Sequence, residues 1–129
     1  MYPYNATLWD PPAPAAEIAI WSPENPSNIR YITALIDTGS DVTLIPQNIV
    51  KELQLIIAAQ AWMGGYDTPE EGYKETFLYA AYLQVPPLNP RILAIAPLKQ
   101  KDYAILGRDM LNYWRTTLDG PGQKMEISE

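Results

Sequence analysis

Around residue 36 the chain changes character abruptly. The apolar run Ile32-Thr33-Ala34-Leu35-Ile36 stops at Asp37-Thr38-Gly39-Ser40-Asp41, and a second apolar stretch begins at Val42. Asp, Gly and Ser are turn residues, so the pattern is a strand that delivers one carboxylate onto a tight turn. A carboxylate so placed can meet a second one and share a proton with it, because two carboxylates about 3 Å apart cannot both ionise. Such a pair activates water. Taken as a bare tripeptide, Asp-Thr-Gly reads equally well as an ordinary turn.

A second element stands seventy residues later. Ala104-Ile105-Leu106 ends at Gly107, and Arg108-Asp109-Met110-Leu111 opens a helical stretch. Together the two elements resemble the retropepsins, the aspartic proteases of retroviruses and their cellular and bacterial relatives, over roughly residues 15 to 127. The resemblance implies an all-β, closed-barrel-like single lobe with one or two short helices. In that family the Asp-Thr/Ser-Gly turn carries the catalytic aspartate, and the later Gly-Arg-Asp/Asn element braces it from behind.

Chain length then shapes the expected mechanism. The 129 residues suffice for one domain with a real core but not for two lobes of about a hundred residues each. A second Asp-Thr-Gly or Asp-Ser-Gly is missing, and Leu118-Asp119-Gly120-Pro121-Gly122 reads as a hairpin turn. One carboxylate per chain is half a dyad. The resemblance supplies the other half, since retropepsins are homodimers with the active site on the two-fold axis.

Composition removes competing chemistries. The chain has neither cysteine nor histidine, which excludes disulfides, serine-histidine and cysteine-histidine triads, and zinc sites built on imidazole or thiolate. No metal and no cofactor is called for. A net charge of −6 argues against a nucleic-acid partner, which requires basic patches. The longest apolar runs are too short to span a membrane, and no signal-peptide pattern opens the sequence. A cytoplasmic or virion-associated protein is the expectation.

Residues 1 to 14 carry Pro3, Pro11, Pro12 and Pro14 among Tyr2, Tyr4 and Trp9, and read as an extended or disordered arm ahead of a domain spanning 15–129. Strands are expected at Ala15 to Trp21, Ile29 to Ile36, Val42 to Ile45, Arg91 to Ala96 and Tyr103 to Leu106. A further pair, Arg115 to Leu118 and Lys124 to Ile127, flanks the glycine turn at 120–122. Helical spacing predicts short helices over Gln47 to Leu55 and Arg108 to Trp114. Between them, residues 59–66 and the return strand Tyr73 to Val85 form a hairpin that resembles the retropepsin flap. Its glycine-flanked tip takes in Gly64, Gly65, Tyr66, Asp67, Thr68, Pro69, Glu70, Glu71 and Gly72, and carries a proline and two glutamates where family tips are generally richer in glycine.

The resemblance also assigns roles. Asp37 is the catalytic carboxylate, Thr38 bonds across the two-fold axis, and Gly39 lets substrate backbone approach. Ser40 has a hydroxyl that can donate to the dyad and lower the acidic limb of activity, which together with Glu70 and Glu71 points to an acidic optimum. Asp41 and Arg108 form a forked pair near the dimer interface, with Asp41 also facing substrate. Asp109 is a scaffold residue, and Ile45, Ile105 and Leu35 are walls of the cleft. The reading is an aspartic endopeptidase acting on extended peptide or protein substrates, with polyprotein processing as one role. The alternative is a retropepsin-fold dimerisation or peptide-binding module without turnover.

Overall fold

The computed structural model describes residues 1–63 and 74–129. Strand β1 (Tyr2–Pro3) precedes the hairpin of β2 (Ala15–Ser22) and β3 (Asn25–Ile36). Next come β4 (Leu44–Pro46), helix α1 (Gln47–Glu52) and a second hairpin of β5 (Ile57–Met63) and β6 (Lys74–Gln84). The chain finishes with β7 (Arg91–Leu98), β8 (Ala104–Leu106), helix α2 (Arg108–Leu111), β9 (Arg115–Asp119) and β10 (Lys124–Ser128).

Six strands close into a barrel in the order β2-β3-β8-β4-β7-β6, with β6 pairing back onto β2 through Ala19↔Gln84, Ile20↔Leu83 and Trp21↔Tyr82. Closure removes two open edges. At the seam Trp21 and Tyr82 stack with ring centroids 5.6 Å apart. The hairpin turn between β2 and β3 is tighter than the loop expected over 22–28. Only Pro23 and Glu24 separate the strands, and the Ser22 hydroxyl accepts the Glu24 N–H at 3.1 Å.

Consecutive strands β3 and β4 are not neighbours. β8 enters between them, parallel to β3 through Leu35↔Ile105 and Ile36↔Leu106 and antiparallel to β4 through Leu44↔Ile105. The turn joining β3 to β4 must therefore pass over the end of β8. That geometry places residues 37–43 directly against Gly107 and α2.

Alternation of side chains along each strand gives two apolar layers. Ile18, Ile20, Ile36, Ile45, Leu83, Ile95 and Leu106 fill the barrel together with Met110 of α2. The intervening residues Leu44, Ile105, Ala96 and Leu98 face outward and are covered by Leu78, with Ala61 and Met63 of the β5–β6 hairpin packed alongside. Both helices are shorter than their sequence pattern. α1 stops at Glu52 because Gln54 takes a left-handed conformation, with φ 52°, yet Leu53 and Leu55 still bury. After α2 the N–H groups of Tyr113 and Trp114 bond back to Met110 and Leu111, a tighter turn than a helix makes.

The proline-rich arm lies on its own chain. Tyr2–Pro3 pairs with Lys124 and Met125 of β10 to make a three-stranded sheet with β9. Asn5 bridges Ala13, and the Trp9 ring meets Tyr103 edge-on at 5.0 Å.

Candidate active site

Asp37 follows the last residue of β3 and is held from both sides. Its N–H donates to the Leu106 carbonyl at 3.0 Å, its carbonyl accepts Ser40 N–H at 3.2 Å, and its Oδ1 accepts Gly39 N–H at 2.8 Å. The carboxylate is half-buried at the barrel's end, while Thr38 and Gly39 are exposed. A Cβ at position 39 would sit 3.1 Å from Asp37 Oδ1, tight enough to push on the carboxylate. Glycine here leaves both the carboxylate position and the approach above it undisturbed.

The two sequence motifs are laced together. Arg108 N–H donates to the Ser40 carbonyl at 2.9 Å, and its guanidinium donates through Nη1 to the Thr38 carbonyl at 2.6 Å and through Nη2 to Asp41. The fork is therefore divided between a backbone oxygen and a carboxylate, not bidentate to Asp41 as the sequence suggested. Asp41 is 84% exposed in the single chain and Arg108 43%. Solvent screens such a pair, so its contribution is to hold the turn in place more than to stabilise the fold.

Thr43 is the residue that sequence reasoning missed. It is fully buried, its N–H and hydroxyl donate to the Asp109 carboxylate at 2.9 and 2.7 Å, and the same hydroxyl accepts Gly107 N–H at 3.2 Å. Burial pushes the Asp109 carboxyl above its ordinary value, against the lowering effect of the Thr43 donors. The Asp109 carboxylate thereby ties α2 to Thr43 in the segment that follows the Asp37 turn. A lone hydroxyl inside Val42-Thr43-Leu44-Ile45 was the available signal, since a buried polar group demands a partner.

Comparison with known proteins completes the picture. The profile of the family described as retroviral aspartyl protease matches residues 14–119. The chain belongs to the retroviral aspartyl protease family. Among solved structures it is similar to the foamy viral protease-reverse transcriptase in complex with an RNA/DNA hybrid, with a TM-score of 0.54, 16% identity, and coverage of 78% of this chain and 12% of that one. It is also similar to EIAV protease complexed with the inhibitor HBY-793, with a TM-score of 0.48, 20% identity, and coverage of 78% and 86%. The chain thus spans about an eighth of the length of the foamy viral polypeptide. Among curated proteins no relative matches.

Three expectations for this retroviral-type aspartyl protease domain change. The Ser40 hydroxyl donates to the Val42 carbonyl at 2.6 Å, so its single proton goes to the turn's own backbone and not to the Asp37 carboxylate. Ile45 is fully buried inside the barrel, and strand alternation gives the outward position to its neighbour Leu44, which pairs with Ile105. Ile105 does face outward, but in the single chain it lies fully buried beneath the β5–β6 hairpin. The flap-tip assignment, Gly64 to Gly72, lies outside the described residues. Asp119 caps its hairpin by accepting Gly122 N–H at 2.9 Å. Among the described residues no group of three or more acidic side chains could hold a metal, and no helix is long and apolar enough to cross a membrane.

Proposed function

We propose that the protein is an aspartic endopeptidase whose catalytic dyad is Asp37 of one chain and Asp37 of a second copy. The observation that carries this reading is the aspartate fixed at the barrel's end, its carboxylate accepting Gly39 N–H and its own backbone N–H donating to the Leu106 carbonyl, in a chain with one such turn. A half-dyad with this rigidity needs only its symmetry mate. The ionised Asp37 accepts a proton from water as its oxygen attacks the scissile carbonyl, and the protonated Asp37 donates to the carbonyl oxygen. The tetrahedral diol then collapses with proton transfer to the leaving nitrogen, releasing a carboxylic acid and an amine.

Substrate binds as an extended strand across the barrel's end beside Asp37, over the edge of the outward layer that holds Leu44 and Ile105, with Asp41 beside its backbone. The Thr38 hydroxyls bond across the dimer axis. Polyprotein processing is the role that suits a domain with a relative inside a longer viral polypeptide.

The test is Asp37→Asn, an isosteric change that cannot share the proton. Hydrolysis of a denatured protein mixture should fall by about 10²–10⁴-fold while the unfolding transition is retained. Residual activity within about tenfold of the parent would refute the aspartic mechanism.

A further inference from the structure

Residues 5–13 of the proline-rich arm form a closed loop. At its base Asn5 and Ala13 exchange backbone hydrogen bonds at 2.8 and 3.1 Å, and Asn5 Oδ1 accepts the N–H groups of Thr7 and Leu8 at 2.9 and 2.8 Å. One residue beyond the base, the Pro14 carbonyl accepts Ile36 N–H at 3.0 Å, which fastens the loop to the residue before Asp37. Across the loop Trp9 meets Tyr103 edge-on, with ring centroids 5.0 Å apart, and both residues are half-buried in the single chain. Closure of the loop needs no ring, because the backbone bonds at Asn5 and Ala13 supply it.

Strand register places this aromatic pair relative to Asp37. β3 and β8 run parallel, with Ala34 beside Ala104, Leu35 beside Ile105 and Ile36 beside Leu106, so Asp37 stands level with Gly107. Ile36 and Leu106 point into the barrel, which puts Leu35 and Asp37 on the outward face of β3. Tyr103 packs on that same face, against the layer that holds Ile105, and lies four residues before Gly107. At a strand's rise of about 3.3 Å per residue it is at most about 13 Å from the level of Asp37, a span of about three to four residues of extended peptide. Ile105 is covered, but Leu35 is half-buried, so a partly open apolar strip leads from Asp37 past Leu35 to Tyr103 and Trp9.

We infer that Trp9 is a specificity-determining residue of the proposed site, forming with Tyr103 a wall that takes an aromatic substrate side chain about three to four residues from the cleaved bond. The inference rests on the proposed endopeptidase reading. Trp and Tyr present broad, rigid apolar faces with few torsions to freeze, and a third ring packs against such a pair edge-on or offset. The arm thereby becomes part of the site and not a tail ahead of it. In a two-fold dimer the wall occurs once at each end of the bound peptide.

The test uses full-length Asp37→Asn protein, which cannot cleave the probe, and two fluorescein-labelled peptides. Both have Leu-Leu at the centre; one has Phe as the third and fourth residues to either side, and the other has Asn at those positions. By fluorescence anisotropy the Phe peptide should bind roughly three- to tenfold more tightly. Adding Trp9→Ala should bring the two peptides within about twofold of each other, whereas Trp9→Phe should keep most of the preference. Trp9→Gln, which retains a long side chain without the ring, should act like Trp9→Ala, so the result does not depend on a variant that loosens the loop. Leu8→Ala, at an exposed neighbour of Trp9, should leave the preference unchanged. Equal binding of the two peptides, binding of neither, or a Phe preference that survives both Trp9→Ala and Trp9→Gln overturns the wall. Proteolysis by the parent is read separately. A parent that cleaves while showing no Phe preference rejects the wall alone. A Phe preference that depends on Trp9 in a parent that never cleaves supports an aromatic-peptide site and rejects the endopeptidase reading.

Discussion

Gly107 marks the point where the two motifs press together. A Cβ there would lie 2.5 Å from the Val42 carbonyl oxygen and 2.8 Å from that of Ser40, and backbone cannot yield as a side-chain tip can. Gly107→Ala should therefore lower stability by about 3 kcal/mol or more, read as a fall in the urea midpoint. An unchanged midpoint would show that the Asp37 turn tolerates displacement from α2. Asp109 supplies a pH signature at the same junction. Its folded pKa is raised above the ordinary 3.8, chiefly by desolvation, so the folded state holds the proton more tightly than the unfolded state. Its contribution to stability is thus fully present below the unfolded value and is lost as pH rises through the folded one. The stability of the parent relative to Asp109→Asn should decline as pH is raised from about 3.8, measured by denaturant unfolding at each pH. A relative stability that grows with pH would mean that the Thr43 donors outweigh burial.

Among the elements, β4 decides which residues enter the barrel and which join the outward layer beneath the β5–β6 hairpin. It is three residues long, and a shift of one position exchanges the barrel interior for the outward layer. The family resemblance gave Ile45 as a cleft wall, and the short apolar run Leu44-Ile45 carries no phase of its own to test that choice. Pairing of Leu44 with Ile105 sets that phase. Ile45→Ala should then act through stability, with a loss of about 2–5 kcal/mol. Leu44→Ala, under conditions where both variants remain folded, should lower kcat/KM on an apolar peptide several-fold more than Ile45→Ala. The reverse order would mean that the barrel interior at Ile45, and not the outward layer at Leu44, governs the site. The helices were legible in kind but not in extent, since tertiary contacts at Leu53, Leu55 and Trp114 override a helical spacing that continues past Glu52 and Leu111.

At the scale of the whole molecule, each chain carries one Asp-Thr-Gly turn, so the proposed site exists only when two copies meet. Specific proteolytic activity should rise with protein concentration as the dimer population grows. Sedimentation that found an active monomer would contradict the shared dyad. The two ends of the chain pair with each other. β1 pairs with β10 inside one chain, and neither strand lies within the family match at 14–119.

The amino-acid sequence by itself determined the family, the all-β class, the position of the candidate catalytic carboxylate and the partnership of two motifs seventy residues apart. These features are local, set by an apolar strand that ends at a glycine turn and by residue types that only such a turn accommodates. Tertiary structure alone decided what those residues touch. The insertion of β8 between β3 and β4 turns Thr43 into a buried clasp on Asp109, divides the Arg108 fork between Thr38 and Asp41, and directs the Ser40 hydroxyl to Val42. Such contacts follow from which strands become neighbours, and in a barrel built of distant pairings that order is fixed by packing two apolar layers, not by any stretch of chain read alone.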